Sequence, residues 1–242
     1  MKNQFFLKNG LDIGLVSDLM LTSCQYFDFS EPPFVGKEKE NNSVVFPKTE
    51  TLFGKNNEDW AIRLTKTYIA LDCDHIGKGQ LLNLSDKVVA PYGNLEEASA
   101  EYTITQDQYV FLPPTFNFNY YGCPEGYDWE PAEGQSIEEF LSEFSDENMD
   151  AVETLEVFLD GIEVGRMKDY RLNTGLFHFK GNPDLTECYE PCITGETQPG
   201  LVANYFLMFK KMKVGKHTIV IKGEMPKHEY SYVINFVLNV ID

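Results

Sequence analysis

The stretch Tyr230-Ser-Tyr-Val-Ile-Asn-Phe-Val-Leu-Asn-Val240 decides the fold class. Tyr232, Ile234, Phe236, Leu238 and Val240 recur at every second residue and make one apolar face, while Asn235 and Asn239 fall on the other. A strand with that alternation buries one face against a second sheet. Working back from it, Thr154 to Leu159, Met167 to Arg171, Leu176 to Lys180, Leu201 to Phe209 and His217 to Lys222 also read as strands. Asp160-Gly161 is a hairpin-type turn, and Lys213-Val-Gly-Lys216 turns the chain between two more strands. Further upstream, Lys87 to Tyr92, Glu101 to Thr105 and Gln108 to Leu112 continue the pattern until Pro113-Pro114 stops it. The expected fold is mainly β, an antiparallel β-sandwich of jelly-roll type.

Two helices are expected against it. Asn56-Asn57 caps a long one over residues 57 to 72, with Glu58 and Asp59 in its first turn and Trp60, Leu64, Tyr68 and Leu71 on one face. Ser136-Ile-Glu-Glu139 fits a capping box and opens a short acidic helix with Ile137, Phe140, Leu141 and Phe144 on one side.

Composition narrows the function. The chain has 242 residues with 43% hydrophobic content, enough to bury a core without metal, and its 14% aromatic content favours pleated, half-buried surfaces. Thirty-eight acidic against 20 basic side chains give a net charge of -18, which repels phosphate backbones, so nucleic acid is not an expected partner. No apolar run reaches the roughly 18 residues that span a bilayer, so no transmembrane helix is expected.

Residues 1–51 are expected to be a signal-like segment and linker, followed by a single domain over 52–242. Leu21-Thr-Ser-Cys24 resembles the lipobox of bacterial lipoproteins, with Cys24 the lipidated residue, although Asp12 and Asp18 interrupt the apolar segment before it. Removing Cys24 leaves Cys73, Cys123, Cys188 and Cys192, for which three pairings exist; Cys188 and Cys192 are close enough in sequence to close a small ring. These features point outside the cytoplasm, a cytoplasmic location being the alternative. Neither the cysteines nor the four histidines show zinc-ligand spacing.

From about residue 52 onward the order of segments resembles a family of uncharacterised, mostly exported bacterial proteins. Leu52-Phe-Gly54 with Trp60 is similar to its "FG…W" helix, and Gly79-Gln80 leading to Val88-Val89 to its next segment. Tyr102-Thr-Ile-Thr105 with Tyr109-Val-Phe-Leu-Pro-Pro114 resembles its first hairpin. Leu155-Glu-Val-Phe-Leu-Asp-Gly161 with Tyr170-Arg171 and Phe177 resembles its "DG…YR…F" unit, and Gly215-Lys-His-Thr-Ile219 its "GKHTI" segment. The resemblance implies export and a β-sandwich of unknown role, and supplies no catalytic residues.

No nucleophile with a base, and no pair of carboxylates across a cleft, is evident, so no catalytic residue is assigned and His217 is read as structural. The candidate ligand site is the loop from Asn117 to Trp129. Tyr120, Tyr121 and Trp129 would stack on sugar rings and Asn117, Asn119 and Asp128 would hydrogen-bond them, unless the aromatics simply cover the core. A glycan or another surface protein is the expected partner, and a structural or adhesive module without a ligand is the alternative. No cofactor is expected; calcium is the one ion whose oxygen chemistry is offered, at Asp146-Glu-Asn-Met-Asp150 and Asp184, without the spacing of a known loop.

Overall fold

The structure is a computed structural model that describes residues 44–92, 99–115 and 117–242. Cys24 and the lipobox-like segment lie outside the described residues. Along the chain come helix α1 (Asn57–Tyr68), strands β1 (Gln80–Ser85), β2 (Val88–Tyr92), β3 (Ser99–Thr105), β4 (Tyr109–Leu112) and β5 (Phe118–Tyr120), and helix α2 (Ile137–Asp150). Strands β6 (Thr154–Leu159), β7 (Ile162–Glu163), β8 (Arg171–Asn173), β9 (Phe177–Lys180), β10 (Thr197–Tyr205), β11 (Leu207–Phe209), β12 (Gly215–Met225) and β13 (Tyr230–Ile241) follow. The protein is mainly β, with several sheets.

One sheet runs β1-β2-β4-β11, and a second places β10 between β5 and the β8 and β9 segments. A third runs β3-β13-β12-β6-β7. Alternate residues of β2, β4, β10 and β11 enter two different cores. Val89, Val110, Leu112, Leu201, Ala203, Leu207 and Phe209 meet Val157, Ile219, Ile221, Phe236, Leu238 and Val240 of the third sheet. Their neighbours Val88, Ala90, Phe111, Val202 and Met208 join Trp60, Leu64 and Tyr68 of α1 on the opposite side. These strands are therefore covered on both faces, which explains why Val88-Val-Ala90 and Leu201-Val-Ala203 lack polar alternation.

The pairing corrects the expectation of a purely antiparallel fold. β2 pairs β4 in parallel, and β13 pairs β3 in parallel from Asn235↔Ser99 to Ile241↔Thr105. Parallel neighbours need a crossover between them. For β2 and β4 the chain supplies it by leaving the sheet, forming β3 on the third sheet, and returning.

Local signals explain most element ends. Asn56 Oδ1 accepts from Asp59 N at 2.9 Å while Asp59 Oδ2 accepts from Asn56 N at 3.2 Å, a reciprocal cap on α1. Ser136 and Glu139 cap α2 in the same way, but that helix has 14 residues against 12 in α1, so it is not short. Asp160 and Gly161 both take positive φ, 51° and 77°, as a two-residue hairpin turn between β6 and β7 requires.

Three further expectations change. Met167–Tyr170 is a 3-10 turn rather than a strand; Asp169 N donates to Arg166 O, and the Arg166–Asp169 ion pair closes it. The expected strand Leu201 to Phe209 is longer and broken at Phe206 into β10 and β11. Residues 44–46, assigned to the linker, belong to the domain: Val45 is fully buried and bridges Phe209, Phe46 N donates to Met208 O, and Lys210 N donates to Val44 O. The compact unit accordingly runs Ser43–Asp242 instead of starting at residue 52.

Phe206 sits at that break with no exposed surface, its ring stacked on Phe111 at 5.3 Å between centroids. Phe206→Ala is expected to lower the unfolding free energy by about 3–5 kcal/mol, the range for truncating a buried aromatic, measured by urea denaturation.

Candidate functional site

The loop proposed for ligand stacking is built into the scaffold. Asn117 and Asn119 are buried under α2. Asn117 Nδ2 donates to Ser145 O at 3.2 Å, and Asn119 Nδ2 donates to Ser145 Oγ at 2.7 Å and to Asn117 Oδ1 at 2.8 Å. Buried amides need such partners, so these two hold the helix to β5 rather than face a ligand. Tyr120 packs its ring on Phe118 and Phe179, and burial, reinforced by the nearby Glu190 charge, pushes its phenol well above the ordinary range. Trp129 lies 4.5 Å from Phe140 and 4.8 Å from Phe144, and its Nε1 donates to Tyr120 O at 2.6 Å. Tyr121 donates its hydroxyl to Glu130. Only Asp128, with Tyr127 beside it, stays at the surface. Packing on α2 and the neighbouring strands thus takes up the amides of Asn117 and Asn119 and the rings of Tyr120 and Trp129.

The small Cys188–Cys192 ring does not form. Cys73 pairs with Cys188 and Cys123 with Cys192. Both bridges anchor the connection between β9 and β10, one to the segment after α1 and the other to the loop after β5. They span 115 and 69 residues of sequence, and closing loops of that size stabilises the folded chain by about 4–5 kcal/mol each in the chain-entropy account. Gln198 reinforces the second clamp, its Nε2 donating to Cys192 O at 2.8 Å and Gly122 O at 3.1 Å.

Of the acidic positions considered for calcium, those at the end of α2 are held by cations, while Asp184 has no ion pair among the described residues. Arg171 donates to Asp146 at 2.8 Å and also to Asp150, and Lys227 pairs with Glu147 at 3.2 Å. These cations offset the carboxylates that crowd the C-terminal end of α2, where the helix dipole disfavours negative charge. Among the described residues no group of three or more His, Cys, Asp or Glu side chains is placed to hold a metal.

A different part of the surface is concave. A groove of about 540 Å³ runs between β6 and the Met167–Tyr170 turn, with Leu155, Met167 and Tyr205 among its lining and Glu153, Glu156, Glu163, Arg166 and Lys168 around it. Burial raises the Tyr205 phenol above its ordinary range, against the opposing pull of Arg171, so this residue is uncharged at neutral pH. One wall is an unfinished sheet edge. Asp160 N donates to Thr218 O on the β12 side, whereas Val157 O accepts from Val164 N on the β7 side. Odd-numbered residues of β6 therefore turn their peptide groups toward β7. Pairing on that side stops at Val164, since Gly165 with φ 114° takes the chain away, and the N–H and C=O of Leu155 are left facing the groove. The sequence concealed this because Met167 to Arg171 read as another strand; Gly161 and Gly165, which bracket the stub β7, were the available signal.

His217 is fixed near the start of β12 by two hydrogen bonds. Its Nδ1 lies 2.7 Å from Asp160 Oδ2 and its Nε2 lies 2.8 Å from Lys213 O, so both ring nitrogens face acceptors and the imidazolium suits the site. Burial pulls its pKa down, but the Asp160 and Lys213 hydrogen bonds outweigh it and leave the pKa raised. Comparison with known proteins returns no match to a family model, a curated protein or a solved structure, so the site is read from its own geometry.

Two outcomes follow. A group whose pKa is raised on folding stabilises the fold fully below its unfolded value, about 6.5 for histidine, and loses that contribution as pH rises through the folded value. Chemical denaturation of the wild type should show this loss above pH 6.5, and His217→Gln should remove that component of the pH dependence. Trp129→Ala should lower Tm by roughly 4–8 °C by calorimetry, as expected from about 2 kcal/mol of lost packing in a domain this size.

Proposed function

We propose that the chain is a disulfide-braced β-sandwich binding module that works outside the cytoplasm and takes its ligand in the groove beside β6. The observation that carries this reading is the groove itself, in which apolar side chains adjoin backbone groups left without a strand partner. Two disulfides support an oxidising compartment, since such bonds persist there and are rare in a reducing cytosol. The lipobox-like Leu21-Thr-Ser-Cys24 and the resemblance to exported proteins agree with it.

The experiment is hydrogen–deuterium exchange with a panel of short peptides and soluble glycans. A ligand is expected to slow exchange across residues 152–169 and to leave 117–129 unchanged. Slowing confined to 117–129 would return the site to the aromatic loop, and no change with any panel member would favour a structural or adhesive module.

A further inference from the structure

We infer that the groove accepts an extended peptide as an added strand on β6, and that the peptide alternates apolar residues with Lys or Arg. This deepens the binding reading above and rests on it.

The backbone geometry sets the mode. β6 is paired with β12 along its whole length, but its other edge is covered only where β7 and Val164 reach it. Leu155 presents a free N–H and C=O just beyond that point, and an open sheet edge is a template for another strand. β7 turns away at Gly165 and the Met167–Tyr170 turn follows without pairing to β6, so the groove opens beside the unpaired Leu155. An incoming segment there would continue the line of β7 and exchange hydrogen bonds with Leu155, the main-chain part of strand addition.

The side chains set the sequence. In β6, Leu155, Val157 and Leu159 point toward the core, so alternate residues of the added strand would meet Leu155, Met167 and Tyr205. Apolar side chains fit that floor. The intervening residues would share the opposite face with Glu156, while Glu153 and Glu163 also line the groove. Against these carboxylates, Arg166 is engaged by Asp169 at 3.0 Å, Lys222 stands cross-strand from Glu156 with its ammonium over the Phe158 ring, and Lys168 is the one remaining cation of the lining. A cationic residue at every second position therefore complements the rim.

The same charges decide against a second copy of this chain. Joining two β6 edges would bring Glu156 and Glu163 of one chain against those of the other, between molecules that each carry a net charge of -18. Like charges facing each other across paired strands are destabilising. The acidic rim thus discourages self-pairing while leaving the edge open to a basic segment.

The test uses fluorescence polarisation of a labelled Lys-Val-Lys-Val-Lys-Val peptide with the full chain at low and moderate salt. A Glu-Val peptide of the same length serves as comparison. Binding is expected for the Lys-Val peptide and absent for the Glu-Val peptide. Glu156→Lys combined with Glu163→Lys should weaken it at least tenfold. Glu133→Lys combined with Glu138→Lys, the same charge change on exposed residues elsewhere, should weaken it less than twofold. Leu155→Pro removes the free N–H, and methylating the peptide's own amide nitrogens removes the partner donors without touching the protein; each should abolish binding. Melting curves confirm which variants fold, and the methylated peptide stands whatever happens to Leu155→Pro. Equal weakening by both charge pairs, or undiminished binding of the methylated peptide, would overturn strand addition. If the Lys-Val peptide fails to bind while another panel ligand protects residues 152–169, the peptide class is wrong and the groove reading survives. Protection only outside the groove would remove both.

Discussion

Burial of the chain on both faces from Gly200 to Phe209 is the constraint on which the rest of the structure depends. Its odd and even residues feed separate cores, one shared with the third sheet and α2, the other with α1. β5 pairs one edge of β10 from Gly200 to Val202, while β9 and β8 pair the other edge from Thr197 to Tyr205. β11 then continues between β4 and the segment around Val45. Gly200 shows how tight the arrangement is: a Cβ there would come within 2.7 Å of the Phe118 ring and 3.1 Å of the Phe179 ring. A side chain at that position would have to displace two aromatic neighbours, so close packing alone calls for glycine there.

This central layer explains which surfaces the fold consumes and which it leaves open. β5 and the loop after it must hold α2 and carry one disulfide, so Asn117, Asn119 and most of the aromatics are spent on the fold. The connection before β10 is held by both disulfides. The third sheet is different, because its β6 side ends in a two-residue stub followed by a turn that does not pair with it. Rigid elements thus surround a short length of unsatisfied edge, a division of labour that suits recognition by backbone pairing.

Much of the fold is legible in the residues. The alternation in Tyr232, Ile234, Phe236, Leu238 and Val240 gives β13 its buried face, and Asn56 with Asp59 and Ser136 with Glu139 announce both helices. The strand Thr154–Leu159 and its Asp160-Gly161 turn are found where the pattern places them. What was illegible is long-range. Nothing local tells Asn117 and Asn119 that Ser145 will lie above them, so a polar, aromatic loop reads as a binding surface until α2 is docked. The parallel partners of β2 and β13 depend on crossovers between sheets, and four cysteines fix no pairing without the fold. Met167 to Arg171 misled because the Arg166–Asp169 pair and Gly165 outweigh the β-like composition of the segment.

The site follows from one small fact of pairing, that the Leu155 amide has no strand partner although it sits between residues bonded to β12. Residue-resolved hydrogen exchange on the unliganded protein tests this most directly. The account predicts that amides of Leu201 to Tyr205 and of Phe158 and Leu159 exchange only through global or near-global unfolding, whereas the Leu155 amide exchanges orders of magnitude faster. A Leu155 amide as protected as that of Phe158 would show that the edge is closed and contradict the account.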